Sequence, residues 1–355
     1  MPPSSDAACG HACDCTSPLP ESTSRGVRLL AEHRHVRTRA AQILGRPGPD
    51  RSLELRGPGW GDVLQVVLEA LTHSERLALY AVPLDDDAAL PVRAETMLGR
   101  ARTPWLPGLL NDGGMFPHFQ PIVDLGSGGV HGREALMRGE YQGMALTGGQ
   151  IVKAANDHDA LFHFDAQART TALAAGLPVL PPGETLYVNF TPTAIYDPAV
   201  CLRTTWAVAR RLGMSLDRVC FEVVETEAFP DIDFLAEILS AYRAQGATVA
   251  LDDLGSGNSS LLYLRELRPD VVKLDKGLVS GVDADPPRRR MLTALVDYAH
   301  ALDIRVIAEG IETAAELAVC QAAGIDFGQG WYLGRPAAGV EPVAATIVTG
   351  LARAA

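Results

Sequence analysis

The sequence contains very little lysine: Lys153, Lys273 and Lys276 are the only lysines among the 31 basic residues of a 355-residue chain. Basic charge is also in the minority, because 43 acidic residues give a net charge of −12. Broad binding to nucleic acid needs a basic surface, so we expect no polymeric nucleic acid as a partner. A small anionic substrate is compatible with this charge if cations reverse its sign locally.

Long apolar runs are missing as well. No segment approaches the ~18 apolar residues that a membrane-spanning helix requires, and the first residues lack the apolar core of a secretory signal. We therefore expect a cytoplasmic protein that does not interact with a membrane. The six cysteines do not indicate a disulfide framework in a chain of this length. Cys9, Cys13 and Cys15 cluster with His11 and could bind a metal, although their spacing matches no common zinc pattern.

Composition and periodicity divide the chain into three regions. Residues 1–25 are rich in Pro, Ser and Thr, which predicts a flexible leader. Residues 26–112 are predicted to form a small α/β segment without a catalytic constellation. We interpret this segment either as a packing or dimerisation subdomain or as a regulatory module. Residues 113–355 carry a regular alternation of strand and helix patterns.

This alternation predicts parallel strands connected by crossover helices. About eight such strands over ~240 residues fit an irregular TIM-like (β/α)₈ barrel better than an open sheet. The first two predicted strands, Phe119–Leu125 and Val130–Met137, are joined only by Gly126–Gly129. Because this connection is too short for a parallel crossover, we expect an antiparallel pair near the start of the barrel.

Acidic residues fall within or at the C-terminal ends of the predicted strands. In a barrel these ends converge on one face, where active sites lie. An isolated acid in an apolar strand is costly unless it is paired or bound to a cation. Converging carboxylates suit Mg²⁺ or Mn²⁺, and a lysine among them can hold or deprotonate a water. The residues in this pattern are Glu134, Asn189, Glu222, Asp252, Asp253, Lys273 and Glu309.

The order of these residues resembles the EAL-domain family of cyclic-di-GMP phosphodiesterases. The matching motifs are Phe119-Gln120-Pro121, Glu134-Ala135-Leu136, Val188-Asn189-Phe190, Phe221-Glu222-Val223-Val224-Glu225, Asp252-Asp253-Leu254-Gly255, Val272-Lys273-Leu274-Asp275, Ala308-Glu309-Gly310-Ile311-Glu312 and Gln329-Gly330. Together they span roughly residues 117–340, and so many ordered motifs do not agree by chance.

The resemblance implies hydrolysis of cyclic-di-GMP to linear pGpG by a homodimer, with water activated by two Mg²⁺ or Mn²⁺ ions per active site. It implies metal ligation by Glu134, Asn189, Glu222, Asp252 and Asp253. It implies catalytic roles for Lys273 and Glu309, which act on the attacking water. It implies contacts to the substrate, or support for it, from Gln120, Leu136, Arg138, Glu312 and Gln329. Glu225 matches an acid that anchors the loop after Asp252.

Five positions depart from the family pattern. Gly139 stands where Trp is usual, Val224 where Thr is usual, and Leu254, Ser256 and Asn258 replace Phe, Thr and Tyr of the loop. None of these changes removes a predicted metal ligand, which favours an enzyme. The alternatives are a catalytically weak or inactive EAL-like receptor or scaffold that binds cyclic-di-GMP or a protein, and a barrel enzyme that acts on another phosphodiester.

Overall fold

The computed structural model of the chain describes residues 18–19, 24–45, 53–86, 88–224, 231–255 and 261–340. Several residues singled out in the sequence lie outside these ranges, namely Cys9, His11, Cys13, Cys15, Glu225, Ser256 and Asn258. Most of the predicted leader also lies outside them.

The described residues form thirteen strands and fourteen α-helices. The strands are β1 (Gly26–Ala31), β2 (Leu53–Arg56), β3 (Leu79–Pro83), β4 (Val92–Arg93), β5 (Met115–Asp124), β6 (Val130–Tyr141), β7 (Met144–Thr147), β8 (Thr185–Phe190), β9 (Val219–Val223), β10 (Thr248–Leu254), β11 (Val271–Leu274), β12 (Arg305–Ala308) and β13 (Phe327–Gly328). The helices are α1 (Arg34–Ile43), α2 (Trp60–Glu69), α3 (His73–Leu77), α4 (Ala94–Arg102), α5 (Leu106–Asn111), α6 (Gly148–Asp157), α7 (Leu161–Gly176), α8 (Pro198–Cys201), α9 (Arg203–Leu212), α10 (Ile232–Arg243), α11 (Leu261–Leu267), α12 (Lys276–Val279), α13 (Pro286–His300) and α14 (Ala314–Ala322).

The chain forms two compact units, one from residues within 17–114 and 139–164, the other containing residues 115–138 and those from 165 onward. The first unit contains a four-stranded sheet in the order β2-β1-β3-β4, in which the neighbouring strands are antiparallel. Its core is made by alternate residues of β1, such as Val27 and Leu29, and by one face of α2 that includes Leu64 and Val67. This period of two in a strand and of three to four in a helix is what an amphipathic sequence dictates. The division at residues 112 and 113 into domains stays a prediction.

The second unit is a closed barrel of eight strands in the order β5-β13-β12-β11-β10-β9-β8-β6, which the pairing of β5 with β6 completes. The neighbours from β6 round to β13 are parallel. Only β5 runs the other way, antiparallel to β13. The predicted fold, a TIM-like barrel with an antiparallel strand near its start, is therefore confirmed.

The inside of the barrel contains a buried cluster that we call the apolar layer. It consists of Ile122, Tyr187, Cys220, Ala250, Val271, Ile307 and Phe327, none of which is more than 4% exposed. Seven of the eight strands contribute one residue each, as expected for a barrel whose interior is a packed layer and not a pore. None of the helices in the described ranges is both long and apolar enough to cross a membrane.

Candidate active site

The predicted site residues lie on the same strand faces as the apolar layer, displaced by two residues. Because side chains on one face of a strand repeat every two residues, this displacement moves one layer along the barrel axis. In the parallel strands the step leads from Tyr187 to Asn189, from Cys220 to Glu222, from Ala250 to Asp252, from Val271 to Lys273, from Ile307 to Glu309 and from Phe327 to Gln329. On β5, which runs backwards, the step goes from Ile122 to Gln120. These residues, with Glu134 from β6, form what we call the polar layer.

Lys273 lies at the centre of the polar layer and is 1% exposed. Its Nζ lies 2.6 Å from Glu309 Oε1, and it also contacts Glu222 Oε1 at 3.3 Å. The remaining ion pairs of Nζ, both at 3.4 Å, are with Glu134 Oε2 and Asp252 Oδ1. Burial alone would lower the pKa of Lys273, but these carboxylates outweigh burial and raise the pKa well above its ordinary value. The lysine is therefore held as an ammonium ion.

The acids around Lys273 do not share one electrostatic environment. Burial raises the pKa of Glu222 well above its usual value and that of Glu309 to about 8, despite the nearby ammonium. Burial and the charge of Asp252 raise the pKa of Asp253 to about 6. Glu134 is the exception: burial acts to raise its pKa, but Lys273 and hydrogen bonds lower it overall. A carboxylate that accepts several hydrogen bonds is stabilised in its charged form.

Glu134 receives those hydrogen bonds from two amide side chains of the predicted site. Asn189 Nδ2 donates to Glu134 Oε1 at 2.7 Å, and Gln329 Nε2 donates to Glu134 Oε2 at 2.7 Å. Gln329 Nε2 also donates to Gln120 Oε1 at 3.2 Å, and the Gln120 amide donates to the carbonyl of Gly334 at 3.1 Å. The structure thus joins Gln120, Asn189 and Gln329 to the acids.

Several buried oxygens of the polar layer have no hydrogen-bond donor among the described residues. They are Asn189 Oδ1, Gln329 Oε1 and both carboxylate oxygens of Glu222, of which Oε1 has only the ion pair with Lys273 Nζ. Leaving a buried acceptor unsatisfied costs about 1–3 kcal/mol, more for a charged group. Oxygens of Asp252, Asp253 and Glu309 also lie within 4.8 Å of one another. Hard oxygen donors with unmet bonding capacity fit a divalent cation such as Mg²⁺ or Mn²⁺.

Asp252 and Asp253 both reach this cluster although consecutive residues of a regular strand face opposite sides. The pairing of β10 with β11 shifts its register between Leu251 and Leu254. Asp253 has a φ of 58°, in the left-handed region that non-glycine residues rarely adopt. This irregularity turns the second carboxylate toward the first, and such bulges often re-aim side chains beside active sites.

The remaining predicted substrate residues are Leu136, Arg138 and Glu312. Leu136 and Arg138 follow Glu134 on the same face of β6, at two-residue intervals. Arg138 Nη1 donates to the carbonyl of Met137 at 2.8 Å, which leaves other guanidinium donors for a ligand. Glu312 is paired instead with Lys276, at 2.6 Å between Oε1 and Nζ, so the structure does not bring its carboxylate into the cluster.

Three residues near Glu312 were not identified from the sequence. Lys276 Nζ lies 5.6 Å from the ring centre of Trp331, and the guanidinium of Arg335 lies 4.2 Å from the same ring. Trp331 is 55% exposed and follows Gln329-Gly330 directly. The sequence offered two signals for these residues, namely the scarcity of lysine and a tryptophan directly after a family motif.

One departure from the family pattern has a steric explanation. A Cβ added to Gly139 would lie 3.1 Å from side-chain atoms of both Leu109 and Ile151. Real Cβ atoms seldom make contacts this short, so any larger residue at position 139 requires these two side chains to shift.

Comparison with known proteins agrees with this geometry. The model of the family described as "EAL domain" matches residues 105–336. The probable cyclic di-GMP phosphodiesterase PdeG of Escherichia coli K12 is 32% identical over 239 residues, which cover 64% of this chain and 45% of that protein. A standalone EAL protein from Vibrio cholerae O395, solved with bound c-di-GMP, is 32% identical with a TM-score of 0.61, covering 66% of this chain and 97% of that one.

A further solved structure was determined with a metal ion. The manganese and cyclic-di-GMP complex of BlrP1 from Klebsiella pneumoniae is 25% identical, with a TM-score of 0.55, and the match covers 72% of this chain and 68% of that one. The first curated relatives are longer than the region matched, which covers only 31%, 45% and 32% of their lengths.

Proposed function

The chain belongs to the EAL domain family, and on that premise we propose that it hydrolyses cyclic-di-GMP to linear pGpG with two Mg²⁺ or Mn²⁺ ions in the polar layer. One observation carries the proposal: the carboxyl groups of Glu134, Glu222, Asp252 and Glu309 surround a single buried ammonium, and the carboxylate of Glu222 accepts no hydrogen bond from the described residues. Such a concentration of acids is costly to fold and is explained by a need for cations.

The donor set divides naturally between two ions. Glu134, Asn189, Glu222 and Asp252 would hold the first, and Asp252 with Asp253 would hold the second. When bound, two divalent ions supply charge neutralisation at the phosphate and lower the pKa of a coordinated water. Arg138 is proposed to bind the phosphate through its remaining donors, while Gln120 and Leu136 line the substrate site. Gln329 supports Glu134 through their hydrogen bond.

The chain's own residues have distinct roles toward the attacking water. Lys273 lies among four carboxyl groups, and we assign it the role of donating a hydrogen bond to the oxygen of the attacking water. Glu309, whose pKa is raised to about 8, accepts the proton from that water. The water oxygen forms a bond to phosphorus, and one ester P–O bond of the ring breaks. The released ribose oxygen takes a proton from solvent, to which Glu309 then returns the proton it accepted.

We also propose that the protein acts as a cytoplasmic homodimer, with neither a membrane nor a nucleic-acid polymer as partner. Leu261 and Leu262, at the start of α11, expose 45% and 46% of their surface. These two leucines, on a helix of the barrel, are the apolar surface that we propose a second copy of the chain covers.

The decisive experiment is incubation of the purified chain with cyclic-di-GMP and either Mg²⁺ or Mn²⁺, with chromatographic detection of pGpG. We expect product with at least one ion and none with a chelator. The Glu134→Ala variant should abolish turnover. Binding of cyclic-di-GMP without product under both conditions would support a receptor instead. Preferential hydrolysis of another cyclic or linear dinucleotide would identify a different phosphodiester as the substrate.

A further inference from the structure

A fully buried ion pair lies behind the polar layer. Arg169 of α7 is 0% exposed, and its Nε donates to Asp165 Oδ2, one helical turn earlier, at 2.8 Å. Arg169 Nη1 donates to Thr205 Oγ1 of α9 at 2.6 Å, and Thr205 is also 0% exposed. A buried ion pair adds little net stability compared with apolar residues of similar size. Stability alone therefore does not account for this cluster.

The second oxygen of Asp165 connects the ion pair to the end of β8. Asp165 Oδ1 accepts a hydrogen bond from the backbone N–H of Thr191 at 2.7 Å. Thr191 is the first residue after β8 and lies two residues beyond Asn189. The polypeptide then turns through the short 3₁₀ helix Pro192–Ala194. The charged pair therefore fixes the point at which the strand that carries Asn189 ends.

Aromatic packing extends the same arrangement to β9. Tyr242 of α10 stacks on Phe221 with 4.0 Å between ring centres, and its ring centre lies 4.9 Å from that of Phe190. Phe190 directly follows Asn189, and Phe221 directly precedes Glu222. Burial raises the pKa of the Tyr242 phenol, and the charge of Arg169 acts in the opposite direction. Phe190 and Phe221, the chain neighbours of Asn189 and Glu222, therefore both pack against Tyr242.

We propose that Asp165, Arg169 and Thr205 form a positioning network that, through the Thr191 amide, holds Asn189 in the orientation required for metal binding. This inference rests on the proposed function, because it assumes that Asn189 is a metal ligand. Hydrogen-bonded residues behind a metal ligand restrict its rotamers, and their loss typically lowers metal affinity by about 10–100-fold. The three residues touch neither substrate nor reacting atoms, so they are not catalytic residues.

Two double variants separate the hydrogen bond to Thr191 from the ion pair itself. Asp165→Leu with Arg169→Met removes both the charges and the acceptor for the Thr191 amide, while keeping apolar bulk. Asp165→Asn with Arg169→Gln removes the charges but retains an amide oxygen at the position of Asp165 Oδ1. Arg218→Met is the matched stability control, because Arg218 donates to the Glu184 and Leu180 carbonyls before β9 begins, at the other end of the strands.

The readouts are Mn²⁺ binding by calorimetry and amide hydrogen exchange at Thr191, with circular dichroism to establish a folded barrel. We expect the Leu/Met variant to bind Mn²⁺ about 10-fold or more weakly and to exchange the Thr191 amide faster. The Asn/Gln variant should retain both properties within about threefold, because the acceptor remains. Arg218→Met should lower the melting temperature without changing Mn²⁺ affinity.

Equal Mn²⁺ affinity of the folded Leu/Met variant and the unchanged protein would overturn the network. The network is also overturned if Arg218→Met weakens Mn²⁺ binding as much as the Leu/Met variant, because the effect would then be general destabilisation. Failure of the unchanged protein to hydrolyse cyclic-di-GMP while Mn²⁺ binding follows the expected order would count against the proposed function alone. Absence of binding of both Mn²⁺ and Mg²⁺ by the unchanged protein would overturn both.

Discussion

The apolar layer and the polar layer occupy the same strands of one barrel, yet they differ in what they contribute. They are separated by two residues, about 6.6 Å along a strand. The apolar layer is closed and uncharged, with Ile122 and Ile307 at 0% exposure. The polar layer places Lys273 and Glu222, at 1% and 0% exposure, within one cluster of opposed charges. A single two-residue step thus separates a layer that stabilises the fold from one that costs stability.

The comparison shows why the buried acids of the barrel are confined to the polar layer. Burial of the apolar layer is worth about 25 cal/mol per Å² of surface removed from water. Each carboxylate in the polar layer instead loses hydration, and Glu222 regains no hydrogen bond among the described residues. If the two layers are independent, substitutions in the polar layer should affect activity with little loss of stability, and substitutions in the apolar layer should do the reverse.

The largest expected effect comes from neutralising the most buried acid. Glu222→Gln keeps the side-chain shape but replaces the carboxyl group with a neutral amide. Burial and the neighbouring carboxylates raise the pKa of that carboxyl group. We expect turnover of cyclic-di-GMP to fall by more than the ~10–100-fold typical of residues that only support a metal ligand. The melting temperature in the presence of a chelator should rise by a few degrees, because a neutral amide is cheaper to bury. Calorimetric melting and product chromatography measure both effects.

A lower melting temperature for Glu222→Gln would contradict the statement that the polar layer costs stability, since it would mean that the charged acid stabilises the metal-free fold. A suitable control is Glu54→Gln in the first unit, where the half-buried acid pairs with the exposed side chains of Arg28 and Arg56 and a small effect is expected.

The second prediction concerns the apolar layer. Ile307→Ala deletes a side chain that is 0% exposed and lies two residues before Glu309. Such truncations typically destabilise by about 2–5 kcal/mol, through lost burial and the cavity that remains. Turnover measured well below the melting temperature should change much less than the ~100-fold caused by a 1 Å displacement of reacting groups. Urea unfolding measures the loss of stability, and steady-state kinetics measure the change in turnover. A loss of turnover as large as that of Glu222→Gln would show that the layers are coupled.

Much of this arrangement could be predicted from the sequence, because it follows from the period of a strand. Acids such as Glu222 and Asp252 end apolar segments, and parallel strands bring such ends to one face. The Gly126–Gly129 connection predicted the reversed strand β5, and the structure confirms it. The antiparallel direction also explains why Gln120 precedes its apolar-layer neighbour instead of following it.

Other features depend on geometry that no local pattern specifies. Asp253 reaches the acids through a register shift and a left-handed backbone conformation, whereas strand alternation alone places it on the opposite face. Asp165 and Arg169 have the i, i+4 spacing of ordinary surface ion pairs, and only tertiary packing buries them. Glu312 matched a family position, but its partner Lys276 comes from a separate helix and carried no such match.

The last prediction is that the polar layer and His131 give the metal-free protein opposite pH dependences. Glu309 has a pKa raised from 4.5 to about 8, so between these values the folded state retains a proton that the unfolded state has released. Stability from this group therefore falls as the pH rises toward 8. In a chelator, the melting temperature of Glu309→Gln relative to the unchanged protein should increase steadily from pH 5 to about pH 8. A constant difference across this range would contradict the raised pKa.

The smaller and opposite effect should come from His131, which is not part of the apolar layer but contacts two of its residues. This ring stacks on Phe327 at 3.9 Å between centres, and its Nε2 lies 3.0 Å from the Tyr187 hydroxyl. Burial lowers the pKa of His131 from 6.5 to about 4. The unfolded state therefore binds a proton that the folded state refuses, and stability is lost as the pH falls from 6.5 toward 4. His131→Phe keeps the stacking, so its melting temperature relative to the unchanged protein should rise only below about pH 6.5. Because the ring is only partly buried, we expect a shift in melting temperature smaller than that of Glu309→Gln. If the melting temperatures of His131→Phe and the unchanged protein depend equally on pH, His131 is not the source of the effect.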